Sequence, residues 1–357
     1  MQTGIKTADE DGQQSTAGQR YCVGVVGAGS IGCFLGAFLC QDSGLDVKFF
    51  GRETTALELA AHGLSATSLD HSSYFAQPVA FYTSLNSLIE CDVVLLTVKA
   101  TALIPMLAQL KRFLRPEVPL IAMQNGIGVQ EMLSHDLSNP IVRAIVPFNV
   151  AKMKAGHYHK ATAGDLLWQI SQFEVVNYLV QCFEHYGLSV ELMHNTVEAE
   201  YGKLLLNLNN ALNAISNLPL KQQLAQHGYR KILSAAMKEW LRICKKAGIT
   251  PKSYTRLPSW LLPRLLALPD WLFSIVARPM LAIDPQARSS MWDDIQAGKA
   301  TEISFLNGAV VALAEQLSLD APVNRLLVQL IKRKEHGEPI RLSPLHIEQL
   351  LQEASTE

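Results

Sequence analysis

The sequence predicts an α/β fold in two parts, a dinucleotide-binding domain with a parallel sheet followed by an all-helical domain. Three observations carry that reading. Apolar runs of strand length alternate with helical patterns from residue 21 to about residue 190, the pattern of a parallel sheet with crossover helices. The stretch GVVGAGSIG sets a glycine turn between one such run and a helix. From about Asn195, helical periodicity replaces the strand runs and continues to the C-terminus.

The first strand is Tyr21–Val26 (YCVGVV), a continuous apolar run of the kind buried on both faces. Ser30–Leu39 follows as a helix without proline. Strand, glycine turn and helix in this order suit a pyrophosphate. Gly27 makes the tight turn, Gly29 lets backbone approach the phosphates, and Gly32 lets helix and strand pack closely. Ala28, Ser30 and Ile31 complete the loop and the first helical turn, whose free N–H groups and positive dipole end face the anion. A lone glycine cluster serves ordinary turns as well, and it is the flanking strand and helix that favour the nucleotide.

The second strand, Leu45–Phe50, ends in Gly51-Arg52. An acidic residue there would hold the ribose 2′-hydroxyl of NAD, whereas an arginine suits the 2′-phosphate of NADP. Its planar guanidinium can grip phosphate with two parallel hydrogen bonds. The expected cofactor is therefore NADP(H). Further on, VVLLTVKA gives another buried strand, residues 101–115 an amphipathic helix closed by Pro116, and LIAM a strand ending in Gln124-Asn125-Gly126. Ligands of open α/β sheets sit outside the carboxyl ends of strands, which places Lys99 and Asn125 at the nicotinamide end. Residues 141–150 and the segment around His157 read as edge strands.

The 357 residues suffice for two cores. The division expected is a disordered polar tail over residues 1–20, a Rossmann-type NADP-binding domain over 21–192 and a helical substrate and catalytic domain over 193–357. A net charge of −1 gives no footing for nucleic acid as a partner. Six cysteines without CxxC spacing read as reduced thiols of a cytoplasmic protein. His157 and His159 have no third ligand cluster nearby, so no metal is expected. The tail lacks the apolar stretch of a signal peptide. Residues 257–283 are strongly apolar but are broken by Arg264, Asp270, Arg278 and four prolines. They do not make a membrane span, and short helices capping a pocket or an oligomer contact are expected instead. A homodimer is a possible assembly.

The helical pattern over residues 198–219 carries an odd stripe. Lys203, Asn207 and Asn210 fall at i, i+4 and i+7 on one face, among leucines that should be buried. Burying an unpaired ammonium or amide costs several kcal/mol, and asparagine is a poor helix former for a merely solvated face. The stripe thus reads as part of an active site. Later, Ser289-Ser290-Met291 opens a helix, and Thr301-Glu302 starts another with Thr301 as its cap and Glu302 as a first-turn acid.

Taken together, these pieces resemble the ketopantoate reductase family (2-dehydropantoate 2-reductases). The likeness runs from about Tyr21 to Lys332 through GAGSIG, Arg52, TVKA, QNG, KLLLN and SSMWDDI…TEI. The resemblance implies a catalytic cleft between a Rossmann domain and a helical domain, where NADPH reduces a branched 2-oxo acid. It implies Lys203 as general acid, Asn125 beside the nicotinamide and Arg52 at the 2′-phosphate. Lys99 would line the cofactor side, and Asn207, Asn210, Ser290 and Glu302 would hold the substrate. This chain departs from the family pattern in the spacing of Asn210, in Leu220 where an asparagine follows the proline, and in the 257–283 segment. Ketopantoate is the substrate this implies. Another bulky 2-oxo or 2-hydroxy acid is the alternative within enzymes, and a non-catalytic NADPH sensor is the alternative outside them.

Overall fold

The structure is a computed structural model that describes residues 20–255, 257–278 and 284–354. The expected polar tail, Arg20 apart, and the last five residues of the 257–283 segment lie outside the described residues.

The strands are β1 (Tyr21–Val26), β2 (Leu45–Phe50), β3 (Leu64–Thr67), β4 (Ser73–Ala76), β5 (Ala80–Tyr82), β6 (Val93–Leu96), β7 (Leu120–Ala122), β8 (Ile141–Ile145), β9 (Val150–Lys154), β10 (His157–Lys160), β11 (Leu166–Gln169) and β12 (Val190–Met193). Eight of them form one sheet in the order β12-β11-β8-β7-β6-β1-β2-β5. The run from β5 to β8 is parallel, and β11 reverses against β8. A four-stranded sheet, β4-β3-β10-β9, is separate. The expected edge strands are therefore corrected: β8 lies inside the large sheet and β10 inside the small one. Strand position depends on long-range pairing, which local apolar pattern does not encode.

The first domain contributes α1 (Ser30–Leu39), α2 (Glu53–His62), α3 (Ala100–Phe113), α4 (Val129–Asp136) and α5 (Glu174–His185). Alternate strand residues feed two cores. Val23, Val25, Val93 and Leu95 join Phe34, Phe38 and Trp168 on one face, while Val26, Val94 and Leu96 join Leu103, Leu110 and Leu133 on the other. This is the period-two alternation of a sheet covered on both sides.

After β12 every regular element among the described residues is helical. Besides two short 3-10 turns, they are α6 (Val197–Asn207), α7 (Asn209–Ser216), α8 (Leu220–Ala225), α9 (His227–Lys246), α10 (Leu262–Leu266), α11 (Asp270–Val276), α12 (Ser290–Gln296), α13 (Asn307–Gln316), α14 (Pro322–Glu335) and α15 (Pro344–Glu353). The single helix expected over 198–219 is two, α6 and α7, meeting at Leu208, whose backbone is still helical. Asn217 ends α7 in the left-handed conformation, with φ 56°, which asparagine tolerates better than most residues.

The apolar segment from residue 257 folds as short helices on α9. Leu262, Leu265, Leu266 and Phe273 enter the helical core. Arg230 of α9 is fully buried beneath them. It donates to the carbonyls of Leu224, Leu266 and Leu268, pairs with Asp270 at 2.9 Å, and lies 4.1 Å from the Phe273 ring centroid. A buried charge needs such partners, so Arg230 fixes where the segment lies. Among the described residues, no helix is long and apolar enough to cross a membrane.

Candidate active site at the domain junction

The glycine loop sits at the carboxyl end of β1. Gly27 has φ 109°, and a Cβ there would lie 2.8 Å from Val98 Cγ1 and deep inside contact with Val98 N. Only glycine fits such a conformation in so little space. A Cβ on Gly32 would meet Thr97 Oγ1 at 2.6 Å and press on Gly27 O. Thr97 Oγ1 donates to that same carbonyl at 2.8 Å, tying the turn to the end of β6. Above Gly29 the space is open, its nearest neighbour being Gly27 O at 4.0 Å. Tight packing below and open space above form a cradle that fits a pyrophosphate against the N-terminus of α1. Ser30 and Ile31 supply that helix's first turn, and Ala28 is buried within the loop.

Arg52 follows β2 as the cap of α2. It is exposed and its side chain makes no hydrogen bond or ion pair among the described residues, so its guanidinium is available to a ligand.

The candidate catalytic residues are brought together from both domains. Lys203 of α6 donates to the carbonyl of Val146, just beyond β8, at 2.6 Å. Its ammonium lies deep between the domains, and burial lowers its pKa from the ordinary 10.5 to about 8. The Glu302 carboxylate opposes that drop and the Arg143 guanidinium adds to it. Glu302 is buried. It accepts from the backbone N–H of Ala100 at 3.0 Å and from Asn125 Nδ2 at 3.2 Å. One carboxylate of the helical domain therefore caps α3 and holds Asn125 at the end of β7. Asn125 is followed by Gly126, φ 90°, where a Cβ would run into the backbone of Phe305, so the two domains touch closely here.

The structure also places residues where the sequence alone did not. Lys99 forms an ion pair with Asp294 of α12 across the junction. Ser290 is exposed at the first position of α12. Its neighbour Ser289 is buried and caps the helix, accepting from Trp292 N–H at 3.2 Å and donating to Asn210 O at 3.1 Å. Glu302 precedes a short 3-10 turn, Ile303–Phe305, and not an α-helix. The amides of Asn207 and Asn210 are half-buried and make no side-chain hydrogen bond among the described residues.

The most consequential group that the sequence reading missed is Arg143. It is buried inside β8 and donates to Glu200 at 3.1 Å and to the carbonyls of Ala122 and Gln124. Glu200 lies one turn before Lys203 on α6 and also accepts from Thr196 Oγ1 at 2.8 Å. The ion pair thus joins the strand end bearing Asn125 to the helix bearing Lys203. A lone arginine inside the run IVRAIV was the available signal, since such a charge is buried only with a partner.

A glycine cradle at a strand end, an arginine without an ion pair just after the next strand, and a lysine of the helical domain buried at the domain junction define a dinucleotide-dependent enzyme of two domains. The chain belongs to the ketopantoate reductase PanE/ApbA family, whose N-terminal model matches residues 23–171 and whose C-terminal model matches residues 195–335. It is 27% identical to a 2-dehydropantoate 2-reductase from Pyrococcus horikoshii, over 87% of this chain and 96% of that protein. Among solved structures it resembles a PanE/ApbA family ketopantoate reductase from Ralstonia eutropha, with TM-score 0.74, 25% identity and coverage of 88% and 98% of the two chains. A D-mandelate dehydrogenase in complex with NADH and anilino(oxo)acetate has a similar fold, with TM-score 0.71, 18% identity and coverage of 88% and 98%.

Proposed function

We propose that this protein reduces 2-dehydropantoate to pantoate with NADPH, and that Lys203 is the general acid. The observation that carries the mechanism is the buried ammonium of Lys203 at the domain junction, with its pKa drawn down to about 8. When bound, NADPH supplies the hydride that turns the C2 ketone into an alkoxide. An alkoxide is far too basic to persist, and Lys203 Nζ would give it a proton. A donor works best with a pKa near the working pH, which burial brings about here. Glu302 keeps the ammonium charged by opposing the effect of burial, and it would position Asn125 beside the nicotinamide. The unpartnered amides of Asn207 and Asn210 offer hydrogen bonds to the substrate's hydroxyl and carboxylate, with Ser290 at the adjoining helix start. The choice of NADP over NAD rests on Arg52, exposed and unpaired after β2.

Leu220 stands where the family pattern has an asparagine. This favours a second reading, reduction of a more apolar bulky 2-oxo acid by the same residues. NADPH oxidation against a panel of 2-oxo acids, 2-dehydropantoate first, tests both. The highest kcat/KM with 2-dehydropantoate is the expected result. A higher value for another acid would replace the substrate, and no oxidation with any acid would overturn the activity.

A further inference from the structure

Lys238, Arg242 and Lys245 follow one another at i, i+4 and i+7 along the outer half of α9. Like charges at this spacing repel and weaken a helix. The helix dipole accounts for Lys245 in the last turn but not for Lys238 or Arg242. Their face is one wall of a cavity of about 1050 Å³, whose other walls are the loop after α9 and the α10 region. Lys252 and Arg264 bring the cations to five, against the single carboxylate of Glu198. A chain of net charge −1 does not gather five cations by general basicity.

Among the described residues, Lys238, Arg242, Lys245 and Arg264 form no salt bridge, although the Arg242 guanidinium donates to the carbonyl of Asp320, and Lys252 pairs with Glu191 outside the cavity lining. The cavity also has apolar surface. Leu241 and Ile249 line it beside Trp260, which is 57% exposed. The Arg264 guanidinium lies 5.0 Å from the Trp260 ring centroid. A flat ring next to a guanidinium plane is a surface on which another ring stacks. The loop wall rests on α6: Lys252 N–H donates to Glu198 O at 2.7 Å, and Gly202, next to Lys203, packs against the Lys252 backbone.

We propose that this cavity is a second ligand site, separate from the glycine cradle, for a phosphorylated small molecule with an aromatic body. The phosphates would lie against Lys238, Arg242 and Lys245, and the ring against Trp260. ADP is the probe, titrated into enzyme labelled with ¹⁵N at tryptophan, with the Trp260 indole signal assigned through Trp260→Phe. That signal reports this cavity alone, whatever ADP does at the glycine cradle. The expected result is a saturable shift of the Trp260 signal. Arg242→Glu should weaken it about tenfold or more, the scale of a lost charge-assisted hydrogen bond, while NADPH affinity and kcat stay unchanged. Pyrophosphate should act at the same signal more weakly than ADP. An unmoved Trp260 signal at millimolar ADP, or equal ADP affinity in Arg242→Glu, would overturn the site. Equal affinity for pyrophosphate and ADP would overturn the aromatic half of the proposal.

Discussion

Replacing Lys203 by alanine tests the proposed mechanism most directly. The ammonium falls from 10.5 to about 8 on burial, a drop worth about 3 kcal/mol at ~1.36 kcal/mol per pH unit. With that pKa, about nine tenths of the enzyme carries the proton at pH 7 and about one tenth at pH 9. The kcat for 2-oxo acid reduction should therefore fall about tenfold per pH unit above pH 8. Lys203→Ala should lower kcat by about 10²–10⁴ and abolish this alkaline limb. Glu302→Gln removes the carboxylate that opposes the drop, so its limb should move to lower pH. Stability runs the other way. Because the folded pKa lies below the unfolded one, the folded state holds fewer protons between about 8 and 10.5, and this group adds stability as pH rises through that window. Loss of rate above pH 8 is thus not unfolding driven by Lys203, and circular dichroism across the same range separates the two. A Lys203→Ala enzyme with near-normal kcat, or one that keeps the limb, would refute the assignment.

Three further outcomes follow from the same geometry. Arg52→Ala should weaken NADPH binding by about 1–3 kcal/mol and leave NADH nearly unchanged, as read by calorimetry; equal losses would remove Arg52 from the 2′-phosphate. Glu200→Ala strands the buried Arg143 guanidinium and should cost about 3–5 kcal/mol in denaturant unfolding, and a cost below about 1 kcal/mol would show the pair to be solvated. Gly32→Ala forces a methyl group against Thr97 Oγ1 and Gly27 O and should cost about 1–3 kcal/mol of overpacking. NADPH affinity should fall with it, and unaltered affinity would separate the glycine loop from the cofactor.

What the sequence determined by itself is local. The glycine turn between β1 and α1 was legible because positive φ and close packing leave glycine alone at Gly27 and Gly32. The stripe of Lys203, Asn207 and Asn210 was legible because helical spacing fixes which residues share a face, and that spacing survives the short break at Leu208. The start of α12 was legible as a serine pair, though only the structure shows that Ser289 caps the helix while Ser290 is exposed. What the tertiary structure decided joins residues far apart in the chain. The interior places of β8 and β10 come from strand pairing, and Arg143–Glu200, Lys99–Asp294 and the grip of Glu302 on Ala100 and Asn125 all cross the domain junction. The pKa of Lys203 belongs to this second group. Burial between two domains sets it, with Glu302 and Arg143 pulling in opposite directions, and a charge's solvation depends on everything packed around it and not on its neighbours in sequence.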